Sequence, residues 1–94
     1  MTIPFGARVS VRPDVLVSEV GGESVILNLD SEAYIGLDSM GARMWTALTT
    51  SKSIQKAYDD LLEEYDVTEE QLRHDLAELI GRLVEQGLVE VTGG

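Results

Sequence analysis

Leu37 divides the chain between two periodicities, and that division constrains the fold more than any other feature of the sequence. Before Leu37, apolar residues come in short runs separated by turn signals; from Met40 to Val84 they recur at helical spacing. Strand side chains alternate with a period of two, whereas a helix brings residues three and four apart onto one face. The first part therefore reads as sheet and the second as helices.

Ala7 to Arg12 alternates small or apolar with polar residues and stops at Pro13, as a short strand does. Val15–Val20 and Ser24–Leu29 are rich in β-branched residues and are separated by Gly21-Gly22. Paired glycines accept the positive φ values of a tight hairpin turn. Asp30-Ser31-Glu32 signals a second turn, and Ala33–Leu37 reads as a third hairpin strand. Gly36 within it marks a bulge or a close approach by another backbone.

Asp38 and Ser39 are both suited to cap the first helix, which carries Met40, Met44 and Leu48 with Trp45 beside them and ends near Thr49-Thr50-Ser51. Ser53 starts a second helix with Ile54, Ala57, Tyr58, Leu61, Leu62 and Tyr65 on its apolar stripe. Thr68 with Gln71 forms a capping box. Leu72, Leu76, Leu79, Ile80, Leu83 and Val84 then define a third helix, closed by Gly87. Leu88–Val91 is a short apolar tail or a small strand, and Thr92-Gly93-Gly94 is expected to be loose.

Strands followed by helices make an α+β domain: a small antiparallel sheet of about three strands and then three helices, which resembles a winged helix-turn-helix. The 94 residues are read as one domain, with a core over about 4–91 and a flexible C-terminal tail. The absence of Cys removes disulfides and thiolate chemistry, and a reducing compartment fits. No apolar run is long enough to span a membrane, and the N-terminus has no secretory pattern. A cytoplasmic location is expected.

The formal net charge of −10 disfavours nucleic acid, whose binding relies on Lys and Arg neutralising phosphates. From Asp59 onward eleven acids face two Arg, a pattern that reads as a solvated helical surface or as an attraction for a basic partner. In the third helix, Thr68 to Gln86, five acids and two Arg make a poor reader of the major groove.

No residues read as catalytic. His74 is the only histidine and has no Cys to join it in a metal site. Asp59-Asp60, Glu63-Glu64 and Glu69-Glu70 fall at exposed helical positions without the spacing of a calcium loop. No nucleophile elbow and no phosphate loop is present. Trp45, Met40 and Met44 read as core rather than as a pocket. The chain is thus expected to be no enzyme, with no metal and no cofactor.

The strand Ala33–Leu37 remains. As an edge, it would offer free backbone N–H and C=O groups to an added peptide strand. The alternative is an ordinary short strand packed on the core, and the pattern leaves both open. A free edge also permits self-pairing, so the chain is expected to be a monomer or a weak dimer.

From about Pro4 to Val89 the sequence resembles the PqqD-like proteins, or RiPP recognition elements. The resemblance lies in Arg8–Arg12, the Gly21-Gly22 hairpin leading into Leu27-Asn28-Leu29-Asp30, and Tyr34-Ile35-Gly36-Leu37 followed by Ser39-Met40-Gly41-Ala42-Arg43-Met44-Trp45. It continues in Leu72-Arg73-His74-Asp75-Leu76, Leu79, Leu83 and Gly87-Leu88-Val89. Leu37-Asp38 stands where the family usually has Leu-Asn. Thr49-Thr50-Ser51 replaces the Asp-Gly of coenzyme-type members. The length and the Gly41–Trp45 stretch are more similar to the standalone leader-binding proteins of lasso-peptide clusters.

The resemblance implies a non-catalytic protein that binds the leader of a ribosomally made precursor peptide. It would present that leader to a partner leader peptidase and to a cyclase or other modifying enzyme. It implies that the leader adds as a strand beside Ala33, Tyr34, Ile35, Gly36 and Leu37. Leu72, Leu76 and Leu79 would line an apolar pocket on the third helix, with Asp75 and Arg82 as charged clamps at its rim. The leader's anchors in lasso-type members are a Tyr and a Pro three residues later. The alternatives are a chaperone for a radical-enzyme pathway and a winged-helix transcription regulator.

Overall fold

The computed structural model describes residues 3–93. Its elements follow the expected order: β1 (Arg8–Val11), β2 (Val15–Val20), β3 (Glu23–Asn28), β4 (Tyr34–Leu37), α1 (Ser39–Thr50), α2 (Ile54–Glu64), α3 (Glu69–Glu85) and β5 (Val89–Thr92). The α+β class holds, but the strands form two sheets. β2, β3 and β4 make an antiparallel sheet in that order, while β1 pairs only with β5.

The β2–β3 hairpin turns at Gly21 and Gly22, whose φ values of 61° and 85° are those a two-residue turn requires. The β1–β5 ribbon aligns Arg8 with Thr92 and Val11 with Val89. This corrects the expectation of a loose tail: Thr92 is a paired strand residue, and Gly94 lies outside the described residues. Val89 is buried, and burying it gives the last turn of chain a reason to return to β1.

Helix starts follow the sequence closely. Asp38, not Ser39, caps α1, its carboxylate accepting from the Gly41 N–H at 2.8 Å. Ser53 caps α2 through the Lys56 N–H, and Thr68 caps α3 through the Gln71 N–H. The capping box at Thr68 is half made, because the Gln71 amide bonds Asp75 at 2.8 Å instead of reaching back. The N-terminal segment also serves α2: the carbonyls of Ala7 and Phe5 accept from the Ile54 and Gln55 N–H groups. Phe5 meets Tyr58 edge-on at 5.7 Å, and the Arg73 guanidinium lies 4.5 Å from the Phe5 ring centre.

One core joins both parts. Ile26, Ile35 and Leu37 descend from the sheet onto Trp45, Leu48, Leu61, Leu76, Ile80 and Leu83. Met44 and Trp45 are buried as expected, and Met40 is half-buried against them.

Candidate functional site

β4 is the outer strand of its sheet, and its pairing decides which of its groups are free. The Asn28 N–H donates to the Ala33 carbonyl at 2.8 Å. Antiparallel ladders alternate hydrogen-bonded and non-bonded pairs, so the register makes Ile26–Ile35 and Ser24–Leu37 bonded pairs too. The β2 side agrees: the Leu29 N–H bonds the Asp14 carbonyl, which commits the odd-numbered residues of β3 to β2. The N–H and C=O groups of Tyr34 and Gly36 therefore face away from β3. No further strand pairs with β4 among the described residues.

The side chains divide the same way. Ile35 and Leu37 are buried in the core, whereas Tyr34 is 68% exposed on the outer face. That exposure is large for an aromatic residue on a sheet edge.

A groove runs between β4 and α3 in two adjoining chambers that share Gly36 and Arg82. The chamber toward the end of β4 has a volume of about 390 Å³. Leu37, Met44 and Leu79 supply its apolar surface, with Gly41 beside them. Its charged groups are Asp38, Asp75, Glu78 and Arg82. The chamber toward the start of β4, about 430 Å³, is bounded by Tyr34, Ile35, Arg82, Glu85 and Gln86. Gly41 lets α1 come close here: a Cβ on it would lie 3.3 Å from Leu37 and from Asp38 Oδ1.

Asn28 fixes the two walls against each other. Its buried side chain donates to the Gly87 carbonyl at the end of α3 at 2.8 Å. Its Oδ1 accepts from the Asp30 and Ser31 N–H groups at 2.9 and 3.1 Å, which shapes the turn into β4. Glu32, at φ 63° in that turn, returns an N–H to the Asn28 carbonyl. One side chain thus ties the start of the edge strand to the helix across the groove.

Of the residues expected at the site, the groove lining includes Tyr34, Ile35, Gly36, Leu37, Asp75, Leu79 and Arg82. Ala33 is half-buried in the turn and is committed to Asn28 through its carbonyl. The pocket expectation needs correction at Leu72 and Leu76, which are 1% and 0% exposed within the core and absent from the lining. The stripe Leu72–Leu76–Ile80–Leu83 faces the core, and the neighbouring stripe Asp75–Glu78–Leu79–Arg82 faces the groove. Sequence reasoning missed Glu78, three residues beyond Asp75, and Glu85, three beyond Arg82; their helical spacing was the available signal. Met44 reads from the sequence as core alone and Gly41 is not singled out for the site, while the Asn28 bond across the groove has no local signal because its partner is 59 residues away.

The remaining candidates lie apart from the groove's floor. His74 is exposed and sits 3.2 Å from Glu78 on the solvent side of α3. Asp59 accepts from Gln55 and Asp60 from Lys56, both within α2. The Lys56 ammonium is held above its usual pKa by the hydrogen bond to Asp60. Among the described residues no cluster of His, Asp and Glu is arranged to hold a metal ion. No helix among them is long and apolar enough to cross a membrane.

The structure is thus an α+β domain with an unpaired strand edge lying over a groove walled by a helix, an arrangement to which an extended chain can add as a strand. The family follows from the sequence match: the chain belongs to the PqqD family, described as coenzyme PQQ synthesis protein D, whose model matches residues 23–89. Two solved structures are similar. One is TbiB1 in complex with the TbiA(beta) leader peptide, at 27% identity and a TM-score of 0.79, covering 90% of this chain and 99% of that one. The other is a lasso peptide synthetase B1 complexed with the leader peptide, at 26% identity and a TM-score of 0.79, covering 89% and 99%. No curated protein sequence matches the chain.

Proposed function

We propose that this protein is a non-catalytic binder of the leader segment of a ribosomally synthesised precursor peptide, in a lasso-peptide pathway. The leader adds as a strand on β4, bonding the free N–H and C=O groups of Tyr34 and Gly36. Its inward side chains enter the groove against α3. Ala33, Tyr34, Ile35, Gly36 and Leu37 form one wall, and Asp75, Leu79 and Arg82 belong to the other. Leu72 and Leu76 act from beneath, as the packing that holds α3 in place. The observation that carries the reading is the unpaired β4 edge lying directly over the groove. The two similar leader-peptide complexes support it.

The chain works as a single cytoplasmic domain without cofactor or nucleic acid. It presents the bound leader to a partner protease and to later modifying enzymes. Tethering supplies effective concentration, so a weak enzyme–substrate encounter becomes an intramolecular one. Titration of this protein into the labelled leader of the precursor encoded beside it tests the reading. Saturable binding in the micromolar range or tighter is expected, and no binding at high micromolar protein rejects it.

The match to the PqqD family favours one second reading, a chaperone for a radical-enzyme modification. A pull-down with the neighbouring enzymes separates the two: a protease and an ATP-dependent cyclase mark the first, a radical enzyme the second.

A further inference from the structure

The pleat of β4 sets how an added strand is read. Tyr34 and Gly36 carry the free backbone groups, so the strand residues opposite Ile35 and Leu37 point inward, toward α3. Those two residues are two apart in the added chain and fall in different chambers, with Arg82 at the boundary. The chamber at Leu37 has an apolar surface of Leu37, Met44 and Leu79 and a rim of carboxylates.

Each carboxylate has one oxygen engaged: Asp38 Oδ1 with the Gly41 N–H at 2.8 Å, Asp75 Oδ1 with Gln71 at 2.8 Å and Glu78 Oε2 with His74 at 3.2 Å. Their second oxygens meet no donor among the described residues. Three carboxylates around an apolar chamber suit a cation carried on a long side chain. Lys and Arg lay an apolar stem along such a surface and keep the charged head at its polar edge. Arg82 borders both chambers: at Leu37 three carboxylates outweigh it, whereas in the next chamber Glu85 alone balances it, so a second cation meets no net attraction there.

We propose that the groove selects a leader segment with a basic residue opposite Leu37 and shows no such preference two positions away, opposite Ile35. This rests on the leader reading above and narrows it to a chemical class of peptide. The test pans a phage-displayed library of random twelve-residue peptides on the full chain and resynthesises the enriched sequences. The expected result is a shared Lys or Arg at one fixed position, with no such enrichment two residues away on the side opposite Ile35. Replacing that basic residue by Glu is expected to weaken binding about tenfold, since an attraction becomes a repulsion. In the double variant Asp75→Asn with Glu78→Gln the same replacement should cost no more than about twofold. The pair Glu63→Gln with Asp66→Asn removes equal charge from exposed positions elsewhere and should keep the full effect. Enriched peptides without a basic position, or a preference unchanged in the Asp75/Glu78 variant, overturn the charge rule and leave strand addition standing. Failure to enrich any peptide, together with no binding of the neighbouring precursor's leader, overturns both.

Discussion

Adjacent prolines on β4 should have opposite effects, because its two backbone edges serve different partners. Ile35 gives its N–H to Ile26 across the ladder and buries its side chain at 5% exposure. Ile35→Pro removes that donor, strands the Ile26 carbonyl and cuts into the core. The expected cost is about 4–7 kcal/mol, close to the whole stability of a domain of about 5–15 kcal/mol. Gly36 lies one residue on, outside the positive-φ glycines, and a Cβ built on it meets nothing within 4 Å. Its N–H faces outward, so Gly36→Pro spends no native ladder bond and should shift the thermal midpoint by only a few degrees. A leader strand, by contrast, loses one bond to β4 and has a carbonyl left without a donor. That amounts to about 2–4 kcal/mol, or a loss of affinity of about 30-fold or more. Circular dichroism melts and fluorescence-anisotropy titration of the labelled leader read the two quantities. A folded Gly36→Pro protein that binds the leader as tightly as the parent refutes strand addition on β4. Equal unfolding by both substitutions refutes the alternation of bonded pairs.

Other substitutions separate the walls of the groove from what holds them. Asn28→Ala should cost about 2–4 kcal/mol in chemical denaturation, since it removes three hydrogen bonds and leaves the Gly87 carbonyl short of a donor. Leu76→Ala, a cavity beneath α3, should cost about 2–5 kcal/mol of stability yet leave leader affinity within about twofold where the protein is still folded. Asp38→Ala should cost about 1 kcal/mol by removing the α1 cap, measured by the same denaturation. Arg43→Ala should cost under about 1 kcal/mol, because the Arg43–Glu64 pair between α1 and α2 is solvent-exposed at both ends.

The sequence spelled out most of the elements because their causes are local. Gly21-Gly22, Asp38, Ser53 and Thr68 mark turns and caps by their own chemistry, and the helical stripes report burial by spacing alone. The second sheet was not legible. Nothing within Leu88–Thr92 announces β1 as its partner, some 80 residues earlier, and an apolar tail of that length has several ways to bury itself. The groove lining was legible along β4 and only in part along α3. Leu72 and Leu76 share the helix with Asp75 and Leu79, and composition shows an apolar stripe without showing which edge of it turns from core to groove. That boundary depends on how α3 is rotated against the sheet, which long-range packing sets.

Rotation and separation of the walls are also what a peptide groove needs held constant. β4 belongs to the sheet and α3 lies beyond two other helices in sequence, so no local rule fixes their distance. One contact does so instead: Asn28, on the strand next to β4, bonds the Gly87 carbonyl just past the end of α3. A side chain larger than Asn at position 28 would change the gap without changing any groove-lining residue. Side chains in a groove are selective only while the gap that presents them is fixed. On the proposed function, the polar clasp at Asn28 therefore shapes recognition as much as Asp75 or Arg82 does, although it lines neither chamber.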